Sequence, residues 1–142
     1  MSSPLEVTAQ VRVQAGAERV WQAATDWSRQ GDWIWATRVH GGQGVGAPVT
    51  GWTGLGPVGF TDTMVITEWD PPRRCVVEHT GRVIRGAGIF EVRADGAECE
   101  FRWTEDLRLP LPAWLGSLVA GLVRPLAEWA LASSLRRFAR QF

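Results

Sequence analysis

Three polar residues interrupt segments that otherwise alternate like half-buried strands: Asp62, His79 and Glu105. Asp62 shares strand parity with Phe60, Met64 and Ile66, His79 with Val77, and Glu105 with Phe101 and Trp103. Side chains two apart on a strand point the same way, so each polar group falls on the apolar side of its strand. If those sides face a common cavity, two carboxylates and an imidazole face it as well. A carboxylate in apolar surroundings has its pKa raised and a histidine titrates near neutrality, so the set could serve as acid and base. The plainer alternative is that Glu105 sits in solvent at a strand end and Asp62 pairs with an arginine.

Other chemistries find little support. His40 and His79 are the two histidines, no Gly-x-Ser-x-Gly elbow occurs, and the serines lie near the termini or in helical context, which disfavours a nucleophilic triad. Cys75, Cys99, His40 and His79 lack close ligand spacing, so no metal site is expected, and no cofactor motif is visible. The glycines of the segment 41–46 precede neither a Lys-Ser/Thr pair nor a helix, so they read as hairpin turns and bulges and not as a phosphate cradle. With 15 basic and 15 acidic residues the formal charge is zero, which leaves no overall footprint for nucleic acid. Arg136, Arg137 and Arg140 form one local basic cluster, read as a solvated face beside the negative end of a helix.

The elements that would position these residues follow in order. Leu5, Val7, Ala9, Val11 and Val13 alternate with polar residues and predict a first strand. A short helix over 17–24 and a second, capped by Asp26 or Ser28 and running toward Trp33, come next. Strands are expected over 36–40, 49–53, 59–69, 75–80, 83–93 and 97–107, separated by glycine and proline turns. After Leu109-Pro110-Leu111-Pro112, an apolar stripe of Trp114, Leu115, Leu118, Val119, Leu122 and Val123 predicts a helix. Pro125 should kink it, and beyond Pro125 the stripe changes phase to Ala127, Leu131, Ser134, Leu135, Phe138 and Phe142. A long kinked helix closing over a sheet is therefore expected. Its first half, weakened by Gly116 and Gly121, would act as a lid, and its second half would be anchored by Leu131, Leu135 and Phe138.

The chain of 142 residues reads as a single domain, 1–142. Its start, Met1-Ser2-Ser3-Pro4, lacks the basic and apolar regions of a secretory leader. Two cysteines inside strands suggest buried free thiols and a cytoplasmic setting. The apolar stretch 109–123 is shorter than the roughly 20 residues a spanning helix needs, so stable membrane insertion is not expected.

Several local motifs, in this order, resemble the START-like helix-grip superfamily (SRPBCC), particularly its bacterial polyketide cyclase/dehydrase-like and lipid-transport-like members. They are Ala17-Glu18-Arg19-Val20-Trp21, Trp27 with Trp33, Thr67-Glu68-Trp69-Asp70-Pro71-Pro72-Arg73-Arg74, Asp95-Gly96, and Trp103-Thr104-Glu105-Asp106-Leu107 leading to Leu109-Pro110. The resemblance implies an α+β fold: a seven-stranded antiparallel curved sheet wrapped around the long C-terminal helix, with two short helices after strand one and an apolar cavity between. Members of that superfamily include lipid carriers, hormone receptors and aromatic cyclases, so the fold constrains chemistry weakly.

Nine tryptophans exceed what a core of this size needs and suggest a lined cavity. The expected ligand-binding residues are Trp33, Trp35, Trp52, Phe60, Met64, His79, Phe90, Trp103, Leu118 and Leu122. The favoured reading is non-covalent binding of a hydrophobic small molecule, lipid-like or polyketide-like, by a monomer or homodimer. The alternatives are a polyketide cyclase/dehydratase working through Asp62, His79 or Glu105, and an interaction module with a Trp-rich surface. An aldol cyclisation and dehydration would need little beyond a shaped cavity and one proton shuttle.

Overall fold

The alternation in the first segment becomes β1 (Ser3–Val13), and the apolar helix face after it becomes α1 (Ala17–Ala24), which buries Val20, Trp21 and Ala24. A short 3-10 helix, Trp27–Asp32, follows, with Asp26 at its N-cap accepting a hydrogen bond from Ser28 Oγ. The remaining strands are β2 (Thr37–Gly41), β3 (Pro48–Leu55), β4 (Val58–Asp70), β5 (Arg74–Thr80), β6 (Arg85–Asp95) and β7 (Glu98–Leu109). Helix α2 (Ala113–Ala139) ends the chain. This computed structural model describes residues 3–82 and 84–142. Val83, expected to begin the sixth strand, and the leader reading at Met1 and Ser2 lie outside the described residues.

The strands form one antiparallel sheet in the order β1-β7-β6-β5-β4-β3-β2. The last strand thus closes back on the first, and every other neighbour is a hairpin partner. The helix-grip architecture expected from the resemblance is the one observed. Two local features decide which side chains share its concave face. Between Ile66 and Glu68 the register of β4 against β5 shifts, so Trp69 pairs with Cys75 and joins Ile66 on one face despite the odd spacing. Ala36 has a φ of 52°, which ends the loop in a left-handed turn and delays β2 to Thr37.

The concave face is filled at one end by an aromatic cluster centred on Trp33. Its ring lies 4.9 Å from Phe138, 5.9 Å from Trp103, 6.0 Å from Phe90 and 6.1 Å from Phe101. Three of these contacts are edge-on and that to Phe90 is tilted, arrangements that add to the burial energy of large rings. Phe138 and Leu135, both fully buried, bring the last third of α2 into this cluster. Farther up the helix the buried positions are small, Gly116 and Ala120, which lets α2 lie close along β1. Arg124 adds a hydrogen bond to the Glu6 carbonyl.

Helix α2 passes through Pro125 as one element. Pro125 and Gly121 are both exposed, so the carbonyl left without a helical donor can be met by water. The helix is consequently longer than the uncharged stretch 109–123 and is, by length and composition, long enough to cross a membrane. Its packing on β1 and in the aromatic cluster instead makes it part of the fold.

Gly86 has a φ of +117°, and a Cβ there would meet the Asp106 carbonyl oxygen. Gly86→Ala should therefore lower unfolding free energy by about 3 kcal/mol in a denaturant titration. Gly121→Ala, with nothing within 4 Å of the added carbon, should leave stability unchanged or raise it by up to about 1 kcal/mol.

Candidate functional site

The three polar residues come from three strands and meet on the concave face. The register pairs Met64 with His79, Gly86 with His79, and Gly88 with Glu105, so residues 62, 64, 77, 79, 86, 88, 103 and 105 share that face. His79 and Glu105 belong to β5 and β7, with β6 between them. Strands separated by one neighbour lie about 10 Å apart, too far for side chains to meet over an ordinary intervening residue. Strand β6 carries Gly88 opposite Glu105 and Gly86 opposite His79, and the absent side chain at Gly88 leaves room for the contact. A Cβ at Gly88 would sit 3.1 Å from Glu105 Oε1 and 3.1 Å from Val77 Cγ2. On the other flank, Asp62 pairs with Gly51, again without a side chain.

The resulting contacts form a chain. His79 Nδ1 lies 2.9 and 3.0 Å from the two oxygens of Asp62. His79 Nε2 lies 3.0 Å from Glu105 Oε2. Trp103 Nε1–H donates to the remaining Glu105 oxygen at 2.9 Å. The side chains of His79, Asp62 and Glu105 are 5, 14 and 16% exposed. Burial alone would lower the His79 pKa, but its hydrogen bonds to Asp62 and Glu105, reinforced by their charges, override it and push it up to about 10. At neutral pH the ring is therefore an imidazolium donating both N–H groups, and with two carboxylates the cluster carries one net negative charge. Asp62 is paired with a histidine and not an arginine, and Glu105 is largely buried against His79 and Trp103 instead of standing in open solvent.

The expected ligand-binding residues divide by position. Phe60 and Met64 flank Asp62 on the concave face, and Phe90 and Trp103 line it toward the aromatic cluster. Trp33 is buried at the centre of that cluster, with an indole N–H that has no partner. It is core, not cleft wall. Trp35 is half exposed at the head of β2, donates to Ser133 Oγ at 2.7 Å and stacks on Trp129. Trp52 pairs with Thr61, opposite in parity to Asp62, and packs on the convex face over Gly54 and Gly59 beside Arg38. Leu118 and Leu122 are exposed on the face of α2 opposite Gly116 and Ala120. The residues that sequence reasoning passed over are Gly51, Gly86 and Gly88. Their signal was glycine at the same strand parity as a buried polar group.

Two concavities stand out, and both flank α1, not the space between the polar cluster and α2 where the apolar cavity was expected. One of about 710 Å³ is lined by Trp21, Trp27, Trp69, Glu18 and Asp26 among others, and one of about 790 Å³ by Arg19, Arg29, Arg137 and Arg140 with Asp26 and Asp32. Neither touches the Asp62–His79–Glu105 cluster. Among the described residues no group of three His, Cys, Asp or Glu side chains is placed to hold a metal ion. Cys75 and Cys99 are buried and unpaired, and burial, with the Glu68 charge, pushes the Cys75 thiol up to about 12.

Residues 4–142 match the family described as polyketide cyclase / dehydrase and lipid transport. No curated protein sequence matches the chain. Among solved structures, TTHA0849 from Thermus thermophilus superposes with a TM-score of 0.78 at 19% identity, covering 95% of this chain and 94% of its own. The Zhui aromatase/cyclase from Streptomyces sp. R1128 does so with a TM-score of 0.78 at 16% identity, covering 97% and 93%. A norcoclaurine synthase from Thalictrum flavum gives 0.66 at 14% identity, covering 100% and 99%. At these identities the likeness is one of fold.

The imidazolium makes the cluster pH-sensitive in a definite direction. A histidine whose pKa is raised on folding contributes stability that is fully present below its unfolded pKa and is lost as pH rises through the folded one. Wild-type unfolding free energy should therefore decline between about pH 6.5 and 10, and His79→Gln should lack that component of the decline. At pH 7 the same variant, which leaves two carboxylates without their shared cation, should lose about 3 kcal/mol. Asp62→Asn combined with His79→Gln should cost less than the two single losses added, by denaturant titration.

Proposed function

We infer, from a chain that belongs to the polyketide cyclase/dehydrase and lipid transport family, that the concave cleft takes up a hydrophobic, carbonyl-rich small molecule and moves protons on it at Asp62, His79 and Glu105. The observation that carries this reading is the carboxylate–imidazolium–carboxylate bridge at the floor of an otherwise apolar face. Buried charge is costly, and three charged groups in contact are not what packing alone would select. Phe60, Met64, Phe90 and Trp103 supply apolar walls around it. At about 25 cal/mol per Å², burying a few hundred Å² of ligand there offsets the entropy of binding and leaves micromolar affinity.

The cluster can accept one proton and become neutral, holding it on either carboxylate. In an aldol-type ring closure, a carboxylate removes a proton from a carbon between two carbonyls. The enolate carbon then attacks a second carbonyl of the same chain, a C–C bond forms, and the new alkoxide recovers the proton. Loss of a second α-proton to the carboxylate, and its delivery to the departing hydroxyl, releases one water. The imidazolium holds both carboxylates in place, and its charge offsets the enolate's. No external oxidant, reductant or metal is required for this balance. Two buried free thiols, Cys75 and Cys99, support a cytoplasmic setting.

A second reading is binding without turnover, favoured by one detail: both imidazole nitrogens and both Glu105 oxygens already have protein partners. The two readings separate in one experiment. With a poly-β-ketone substrate, Asp62→Asn and Glu105→Gln should each lower kcat by about a hundredfold or more, with little change in substrate affinity. Wild-type protein that binds the polyketone but gives no cyclised product above the uncatalysed rate would leave the carrier reading. Native mass spectrometry of protein from its own host should show a co-purifying hydrophobic small molecule in either case.

A further inference from the structure

Apart from the stacking of Trp129 on Trp35, the outer face of α2 is not used by anything above. Trp114, Leu118, Leu122, Leu126 and Trp129 follow one another at steps of four, four, four and three residues, and so form one row down the helix. They are 75, 58, 74, 67 and 54% exposed. The row lies opposite Gly116, Ala120, Leu131 and Phe138, which are buried. Monomeric proteins seldom expose contiguous apolar patches beyond a few hundred Å² without a use for them, and this row runs for four turns.

What covers it is indicated by the charges at its end. Continued toward the C-terminus, the row leads to Arg136 and Arg140, both exposed, and Arg137 lies at its flank over the Trp35 ring, 4.4 Å from the centroid. The two acidic or basic residues of α2 before them, Arg124 and Glu128, point elsewhere: Arg124 reaches Glu6 on β1, and Glu128 lies off the row. The concavity of about 790 Å³ adjoins this end, lined by Arg19, Arg29, Arg137 and Arg140 together with Asp26 and Asp32, of which Arg29 and Asp32 form an ion pair. An apolar row bounded by tryptophans and ending in the exposed Arg136 and Arg140, which make no ion pair among the described residues, matches an interface that is apolar in its depth and anionic at its rim. A second copy of the chain fits less well, because the same face offers no carboxylate to pair with Arg136 and Arg140.

We propose that α2 docks this protein on anionic lipid surfaces, with Trp114, Leu118, Leu122, Leu126 and Trp129 seated among the acyl chains and Arg136 and Arg140 against the headgroup phosphates. The helix stays packed on β1 throughout and lies in the plane of the surface. This inference is independent of the reaction at Asp62, His79 and Glu105, since it uses the opposite face of the helix from the one that packs on the sheet.

The test is flotation of the full chain with vesicles of equimolar phosphatidylcholine and phosphatidylglycerol, and with vesicles of phosphatidylcholine alone. Binding is expected to the anionic vesicles and to weaken with salt. Arg136→Glu with Arg140→Glu should weaken it by roughly thirtyfold or more, given about 1 kcal/mol for each basic residue at such a surface. Leu118→Asp with Leu122→Asp should abolish it while far-UV circular dichroism and the thermal midpoint are retained. A conservative pair that preserves folding, Trp114→Phe with Trp129→Phe, should reduce the tryptophan quenching by brominated acyl chains, and the part that remains should come from Trp35, which stacks on position 129 and is half exposed. Failure of the wild type to float with anionic vesicles would overturn the proposal. So would binding indifferent to the leucine and arginine pairs. A stable dimer in sedimentation velocity that Leu118→Asp with Leu122→Asp dissociates would overturn it as well, and would assign the row to a second copy.

Discussion

The contact on which the site depends is made by what β6 lacks. His79 on β5 and Glu105 on β7 could not meet over a side chain, and glycine at 88 clears the path, while Gly86 lets the β6 backbone pass close to Asp106. Glycine in a strand weakens it, by entropy and by lost packing. That cost falls on the one strand bridged by the imidazolium, which links β4, β5 and β7 through Asp62 and Glu105. The polar cluster thus ties together strands that a smooth apolar face would tie less specifically, and it holds two carboxylates on the concave face. Structural and chemical roles are consequently hard to separate by single substitutions. The double-variant comparison and the kinetic split between kcat and affinity address different halves of that coupling.

Helix α2 divides its labour along its length. Its last third enters the aromatic cluster through Leu135 and Phe138, both without exposure, while its first half touches the sheet mainly through Gly116 and Ala120. Apolar burial per residue is therefore concentrated after Pro125, and the earlier turns are held by close backbone approach and by Arg124. Local opening free energies should follow that gradient. A helix end that is weakly held on one face and apolar on the other can change neighbours without unfolding the domain, since the aromatic cluster stays closed.

Much of the architecture was legible because its signals are periodic. β1 alternates without error, the turn dipeptides mark the hairpins, and the order of elements carried the resemblance to helix-grip proteins. Parity also placed Asp62, His79 and Glu105 on apolar faces. It could not say that they touch, because contact depends on register across four strands and on the shift between Ile66 and Glu68. The tryptophans show the limit most clearly. Composition treated Trp33, Trp35 and Trp52 alike, yet one is core, one bridges to α2, and one lies on the convex face. For Trp52 the parity was available from the sequence, since it is even-numbered on a strand whose concave residues are odd. For Trp33 nothing local distinguishes a cavity wall from the hub of a cluster assembled from β6, β7 and α2. The helix stripe of Trp114, Leu118 and Leu122 misled for a related reason: an apolar face identifies a surface that avoids water, not the sheet it must pack on.

Trp33 also shows how the cleft is bounded. Its indole N–H is buried without a partner, a cost of about 1–3 kcal/mol that a phenylalanine would avoid. The larger ring reaches Phe90, Phe101, Trp103 and Phe138 at once, and no smaller aromatic would close those four contacts. Trp103 lies in the same contact set and donates its own N–H to Glu105. The hydrophobic cluster and the charged one therefore share a residue, and the orientation of Glu105 is fixed by packing that begins at Trp33. Loosening the aromatic cluster should relax the carboxylate before it unfolds the sheet, so the precision of the site rests on the density of the core beside it.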